Sequence, residues 1–118
     1  MFTKTLLPDT FRALKLTGKR ELAGKTLKAI EDRGTRRDFI DLYFLSKKFS
    51  LDQMLEFYNQ KYNVLEDHLY SIIRALSYFE EADRESQMPK MLIDTNWNKV
   101  KEFFKKESIR LAKNKLGI

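Results

Sequence analysis

Hydrophobic positions along this chain fall three and four residues apart, the spacing that places them on one side of an α-helix, and strand-like alternation is almost absent. Pro8-Asp9-Thr10 opens a short helix reaching about Leu16. Proline is tolerated near a helix start because the N–H it lacks would have no partner there. After a Thr17-Gly18-Lys19 break, a segment from about Arg20 to Asp32 carries Leu22, Ala23, Leu27 and Ile30 as one apolar stripe. Lys25, Lys28, Glu31 and Asp32 lie largely off that stripe. Gly24 inside the segment weakens it by about 1 kcal/mol relative to alanine. Gly34 supplies the stop, since glycine takes positive φ without a Cβ clash.

The next segment, about Thr35 to Phe49, is apolar nearly all round its axis through Phe39, Ile40, Leu42, Tyr43, Phe44 and Leu45, the pattern of a buried, central helix. Ser50-Leu51-Asp52-Gln53 is a capping box opening a helix to about Tyr62, with Met54, Leu55, Phe57 and Tyr58 turned inward. Leu69, Ile72, Ile73, Leu76 and Phe79 define a helix over about Leu65 to Asp83. Arg84 to Thr95, with Pro89, is expected to be a loop. Asn96 to about Asn114 forms the last helix, with Trp97, Val100, Phe103, Phe104 and Leu111 inside and a basic outer face. The pattern thus predicts an all-α fold, a compact bundle of five to six helices in a single domain over 1–118. The Thr35–Phe49 and Leu65–Asp83 helices stand at its centre.

Composition narrows the function classes. The 118 residues are 42% hydrophobic and 13% aromatic, enough for one core, and 34% charged. No apolar run approaches the roughly 20 residues that span a bilayer, and the first residues lack the apolar stretch of a signal peptide, so no membrane association is expected. The absence of cysteine removes disulfides and thiolate metal sites and points to the cytoplasm. A net charge of +6 makes contact with nucleic acid possible without establishing it. Its densest expression is the series Lys99, Lys101, Lys105, Lys106, Arg110, Lys113 and Lys115. Glu102 and Glu107 interrupt that series, which favours a solvated helix face. Lys25, Lys28, Lys101, Lys105 and Lys113 are the candidate anion-binding lysines.

The densest chemistry lies in Arg33-Gly34-Thr35-Arg36-Arg37-Asp38-Phe39-Ile40-Asp41. On a helix, Arg37, Asp38 and Asp41 can share a face. Two carboxylates and a guanidinium so placed either grip a metal–phosphate group or form a fixed ion-pair cluster locking the Gly34 turn. The second is favoured, because charges beside so apolar a helix must be paired. His68 is the single histidine, which excludes a His-rich metal site, and it reads as a surface or helix-start residue. Trp97 reads as a core anchor. Gly24-Lys25-Thr26 has the ending of a P-loop without its upstream glycine.

The stretch from Lys28 to Leu45, centred on Arg37-Asp38-Phe39-Ile40-Asp41, resembles the fourth signature region of the AbiEii/AbiGii-type nucleotidyltransferase toxins. The Ser50-Leu51-Asp52 opening and the Trp97-to-Phe104 segment are similar to that family's C-terminal helical part, so the likeness spans roughly residues 20 to 112. Leu6-Leu7-Pro8-Asp9-Thr10-Phe11-Arg12-Ala13-Leu14 resembles its N-terminal helix, and Leu22-Ala23-Gly24 the start of its Gly-rich turn. The family's metal-gripping Asp-x-Asp triplet has no counterpart here. Lys25 and Lys28 flank the place where the family carries a lysine.

The resemblance therefore implies a shortened relative in which the two ends of the family architecture are joined without the catalytic sheet between them. It further implies that Arg37, Asp38 and Asp41 are a relict nucleotide-side cluster and no longer catalytic. No cofactor is then expected; Mg²⁺ and a nucleoside triphosphate would enter only if a partner completed the site. Apolar surface left by the missing sheet would favour a homo-oligomer or a protein partner.

Overall fold

A computed structural model of the chain describes residues 18–84 and 96–117. The helix expected over Pro8–Leu16 and nearly all of the expected Arg84–Thr95 loop lie outside the described residues. Gly18, with φ of 82°, leads into α1 (Lys19–Asp32). Its Ala23, Leu27 and Ile30 are buried as the stripe predicts. Gly24 has a definite reason to be there: a Cβ at that position would stand 3.3 Å from the Phe57 carbonyl oxygen and 3.4 Å from the Tyr58 Cα and N. What the sequence presents as a local weakness is the condition for close packing of α1 on the next helix but one.

At the end of α1, the N–H groups of Arg33 and Gly34 both donate to the Ala29 carbonyl, at 2.8 and 3.1 Å, and Gly34 takes a φ of 61°. This left-handed stop turns the chain into α2 (Arg36–Leu45), capped by Thr35. The helix expected to run to Phe49 ends at Leu45. Residues 46–49 continue as tight turns, in which Lys47 and Lys48 donate to carbonyls three residues back. The Ser50–Gln53 capping box then opens α3 (Leu51–Tyr62) as expected. Its Met54, Leu55 and Tyr58 are fully buried, while Phe57 is only half-buried.

After the left-handed Asn63 (φ 54°), α4 (Leu65–Leu76) begins. The single helix expected over Leu65–Asp83 is in fact two. Ser77 and Tyr78 donate to the carbonyls of Arg74 and Ala75, three residues back, and the chain bends before α5 (Glu80–Asp83). That bend lets Phe79 enter an aromatic cluster with Phe39 and Trp97, ring centroids 5.0 and 6.1 Å away. The last helix, α6 (Trp97–Leu111), is capped by Asn96 and widens into a π-helical turn over Ala112–Leu116.

The described residues thus form an all-α bundle with no strand. The α2 and α4 helices each touch both α1 and α6, but the most extensive packing is around α1, which meets α2, α3 and α4, so the centre lies nearer α1 than the pattern predicts. Phe39 is its pivot. Fully buried on α2, it meets Phe79, Trp97 and Phe104 within 6.1 Å. Burying aromatic rings of this size contributes about 2–3 kcal/mol each, so this cluster is a principal tie between α2, α5 and α6.

Candidate functional site

The Arg-Asp-x-x-Asp segment sits on the first two turns of α2, directly after the Gly34 turn. The turn decides how its charges are used. Thr35, extended at φ −73° and ψ 161°, is the N-cap, and its Oγ1 accepts from the Asp38 N–H at 3.3 Å. Asp38 answers: its Oδ2 accepts from the Thr35 N–H at 3.1 Å and from the Thr35 hydroxyl at 2.8 Å. The Arg33 guanidinium closes the other side, with Nε donating to Oδ2 at 3.0 Å and Nη2 to Oδ1 at 3.2 Å. Asp38 is buried, 6% exposed, and both its oxygens are occupied by neighbours within five residues. An ion-pair fork and a reciprocal cap converge on one carboxylate.

The three motif residues therefore do not act as one group. Asp41, with 18% of its side chain exposed, stands 4.0 Å from the Arg37 guanidinium, a one-turn pair along the helix. Asp38 turns the other way, to Arg33 and Thr35. Arg36 points toward the far end of the bundle, where Nε donates to the Ala82 carbonyl at 3.1 Å and the guanidinium lies 5.0 Å over the Trp97 ring.

The candidate anion-binding lysines separate as well. Lys25 pairs with Glu21 at 3.8 Å, and Lys28 with Asp32 at 3.3 Å and Glu31 at 4.0 Å. Lys101 is held by Asp83 at 3.1 Å and lies 5.9 Å over the Trp97 ring. Lys105 and Lys113, on α6 and the turn after it, are exposed and have no ion-pair partner among the described residues. The five do not form one patch: two belong to α1, and the rest to α6 and its extension.

One cluster escaped the pattern. Glu31, placed by its spacing largely off the apolar stripe, has only 10% of its side chain exposed. Its carboxylate accepts from the fully buried Tyr58 hydroxyl at 2.9 Å and lies 2.8 Å from Nδ1 of His68, which comes from 37 residues away. Nδ1 must carry a proton to bond a carboxylate. Burial and the Glu31 carboxylate together push the Tyr58 hydroxyl well above the ordinary tyrosine range. His68 keeps a partly exposed edge, 37% of its side chain, as a surface residue would. It is also the third member of a link joining α1, α3 and α4. A carboxylate one position from a buried isoleucine was the available signal, since so placed it requires partners.

Among the described residues no group of three histidine, aspartate or glutamate side chains could hold a metal ion, and no helix is long and apolar enough to cross a membrane. The class of protein defined by these features is an all-α bundle whose most conspicuous charged motif caps a turn through Asp38 and pairs along a helix through Arg37 and Asp41. No protein-family model matches the chain, and no solved structure matches it. It is similar to the uncharacterized protein aq_aa25 of Aquifex aeolicus (strain VF5), with 32% identity over 94 residues. Those residues are 78% of this chain and 43% of aq_aa25, so the chain spans less than half of that relative.

Proposed function

We propose that this chain is a non-catalytic helical interaction module, a shortened relative of the nucleotidyltransferase toxins that works in the cytoplasm through contacts with a protein partner or a second copy of itself. The observation that carries this reading is the state of Asp38. A carboxylate that grips a catalytic metal must keep an oxygen lone pair directed at the ion. Both oxygens of Asp38 are instead engaged by Arg33 and Thr35, and Asp41 lies against Arg37. Asp38 is used to shape a turn, and Arg37 and Asp41 face each other along the helix. The length of aq_aa25 agrees with a module role, since the matching residues there belong to a chain more than twice as long as the match. Tyr70 and Ile109, each more than half exposed, supply apolar contact for self-association.

Two measurements test the proposal. Light scattering on the purified chain is expected to give twice the 14.1 kDa monomer mass. Amide shifts of Arg37, Asp38 and Asp41 are expected to stay unchanged when ATP or GTP is added with Mg²⁺. A monomer at all concentrations would reject self-association. Saturable, Mg²⁺-dependent shifts at those three residues would replace the module by its rival, a nucleotide-binding subunit whose site a partner completes.

A further inference from the structure

Beyond that reading, an open cleft of about 240 Å³ lies between the C-terminal turn of α1 and the outer side of α4. Its walls have distinct characters. Ile30 and Ala75 give an apolar floor, and the Tyr78 ring forms one side. That ring is tethered, because its hydroxyl donates to the Glu80 carboxylate, which Arg84 holds at 2.8 Å. Ser71 offers a hydroxyl, and Arg33 and Arg74 contribute one guanidinium from each wall.

The balance of charge decides what such a cleft attracts. Its two carboxylates already have partners: Glu31 has His68, Tyr58 and Lys28, and Asp32 has the same Lys28. Arg33 spends Nε and Nη2 on Asp38 and is also drawn by the neighbouring Asp32 carboxylate, so this side chain, 65% exposed, has only Nη1 left to offer. Arg74 has no ion-pair partner among the described residues. The end of α1 opposes an anion with its carbonyl dipoles, an effect equivalent to about half a charge. The Arg74 guanidinium, without an ion-pair partner among the described residues, is the charge left to meet an anion. Guanidinium also presents a planar fork matched to two oxygens of a carboxylate or phosphate.

We propose that this cleft binds a small organic anion, its carboxylate or phosphate held by Arg74 and Arg33 and its flat apolar body against Tyr78 and Ala75. The volume admits about one ring with its oxyanion, less than the roughly 300 Å³ at which drug-sized pockets begin.

Phenyl phosphate, benzoate and inorganic phosphate are the probes, each titrated into the full chain while amide shifts are followed. Phenyl phosphate or benzoate is expected to give saturable shifts at Gly34, Ser71, Arg74 and Tyr78, and the stronger of the two identifies the preferred oxyanion. Inorganic phosphate, without an apolar body, should bind about tenfold more weakly. Arg74→Met should weaken the aryl probes about tenfold or more. Ser71→Leu, at an exposed helix position, fills the cleft while leaving both guanidiniums, and should weaken the aryl probes alone. Lys105→Gln with Lys113→Gln should change nothing. Unsaturable shifts, equal affinity for phenyl phosphate and phosphate, or binding insensitive to Arg74→Met would each overturn the proposal. So would equal losses in the double lysine variant, which would mark diffuse charge attraction. A monomeric chain, or one that binds Mg²⁺–nucleotide at the α2 motif, would leave this outcome untouched.

Discussion

At the scale of single residues, a carboxylate's worth here depends on what its removal strands. Asp38→Ala would leave the Thr35 N–H and the Arg33 fork without their acceptor at a buried turn, and is expected to cost about 3 kcal/mol in urea unfolding. Arg33→Met removes the same fork from its exposed end. With the cap intact and the arginine 65% exposed, the loss should stay below about 1 kcal/mol. Equal losses would mean that the ion pair rather than the cap dominates. Tyr58 gives a second test. Tyr58→Phe deletes one bond to Glu31 and should cost about 1–2 kcal/mol at neutral pH. The hydroxyl's folded value is raised, so above about pH 10 the unfolded chain loses the tyrosine proton while the folded chain keeps it. Fewer protons on the unfolded side mean that stability falls as pH rises there. The gap between wild type and Tyr58→Phe should therefore narrow in alkali, and a constant gap from pH 8 to 11 would reject this account.

At the scale of elements, the sequence shows helices through their period and their caps, and it misses what two elements require of each other. The Ser50–Gln53 box and the Gly34 stop are local signals, and both form as expected. The bend after Leu76 has no glycine or proline to announce it. Leu76 and Phe79 are three apart, which suits a continuous helix and a bent one equally; Phe39 and Trp97, far away in sequence, draw Phe79 inward. The charged motif was legible as an ion-pair cluster, but its partners were not, because Asp38 chose Arg33 across a left-handed turn over Arg37 beside it. Glu31, Tyr58 and His68 were invisible as a group for the same reason. Gly24 makes the point measurable. Alanine would gain about 1 kcal/mol of helix propensity, but its Cβ would press on helical backbone at 3.3–3.4 Å, which cannot step aside as a flexible side chain can. Overpacking of this kind costs about 1–3 kcal/mol. Gly24→Ala is expected to lower the thermal midpoint, with a net loss of about 1 kcal/mol; a rise would show that α1 and α3 can move apart freely.

At the scale of the whole molecule, α6 joins the bundle through apolar contact along its middle and carboxylates at both ends. Val100, Phe104 and Leu111 are fully buried, and the Ser108 hydroxyl donates to the Ile73 carbonyl at 2.9 Å. At the start of α6, the indole N–H of Trp97 donates to Asp83 at 2.9 Å and Lys101 follows at 3.1 Å. The Trp97 hydrogen bond, then Lys101, holds the Asp83 carboxyl below its ordinary range. At the far end, Arg110 and Lys115 reach Asp52 on α3 at 2.9 and 3.4 Å. Burial alone would raise the Asp52 carboxyl, yet these two cations outweigh it and lower it. Both groups have depressed folded values, so their contribution is present above about pH 4, the unfolded value for aspartate, and is lost as pH falls through the folded values. Both are partly exposed, so each contribution is modest and screened by salt. Urea unfolding from pH 6 down to pH 2 should therefore show the wild type losing stability below about pH 4. The Asp52→Asn/Asp83→Asn variant should start lower and lose less over that range, with the difference shrinking in 1 M salt. Parallel falls in the two proteins would place the acid-sensitive clamps elsewhere and leave α6 held by its apolar face alone.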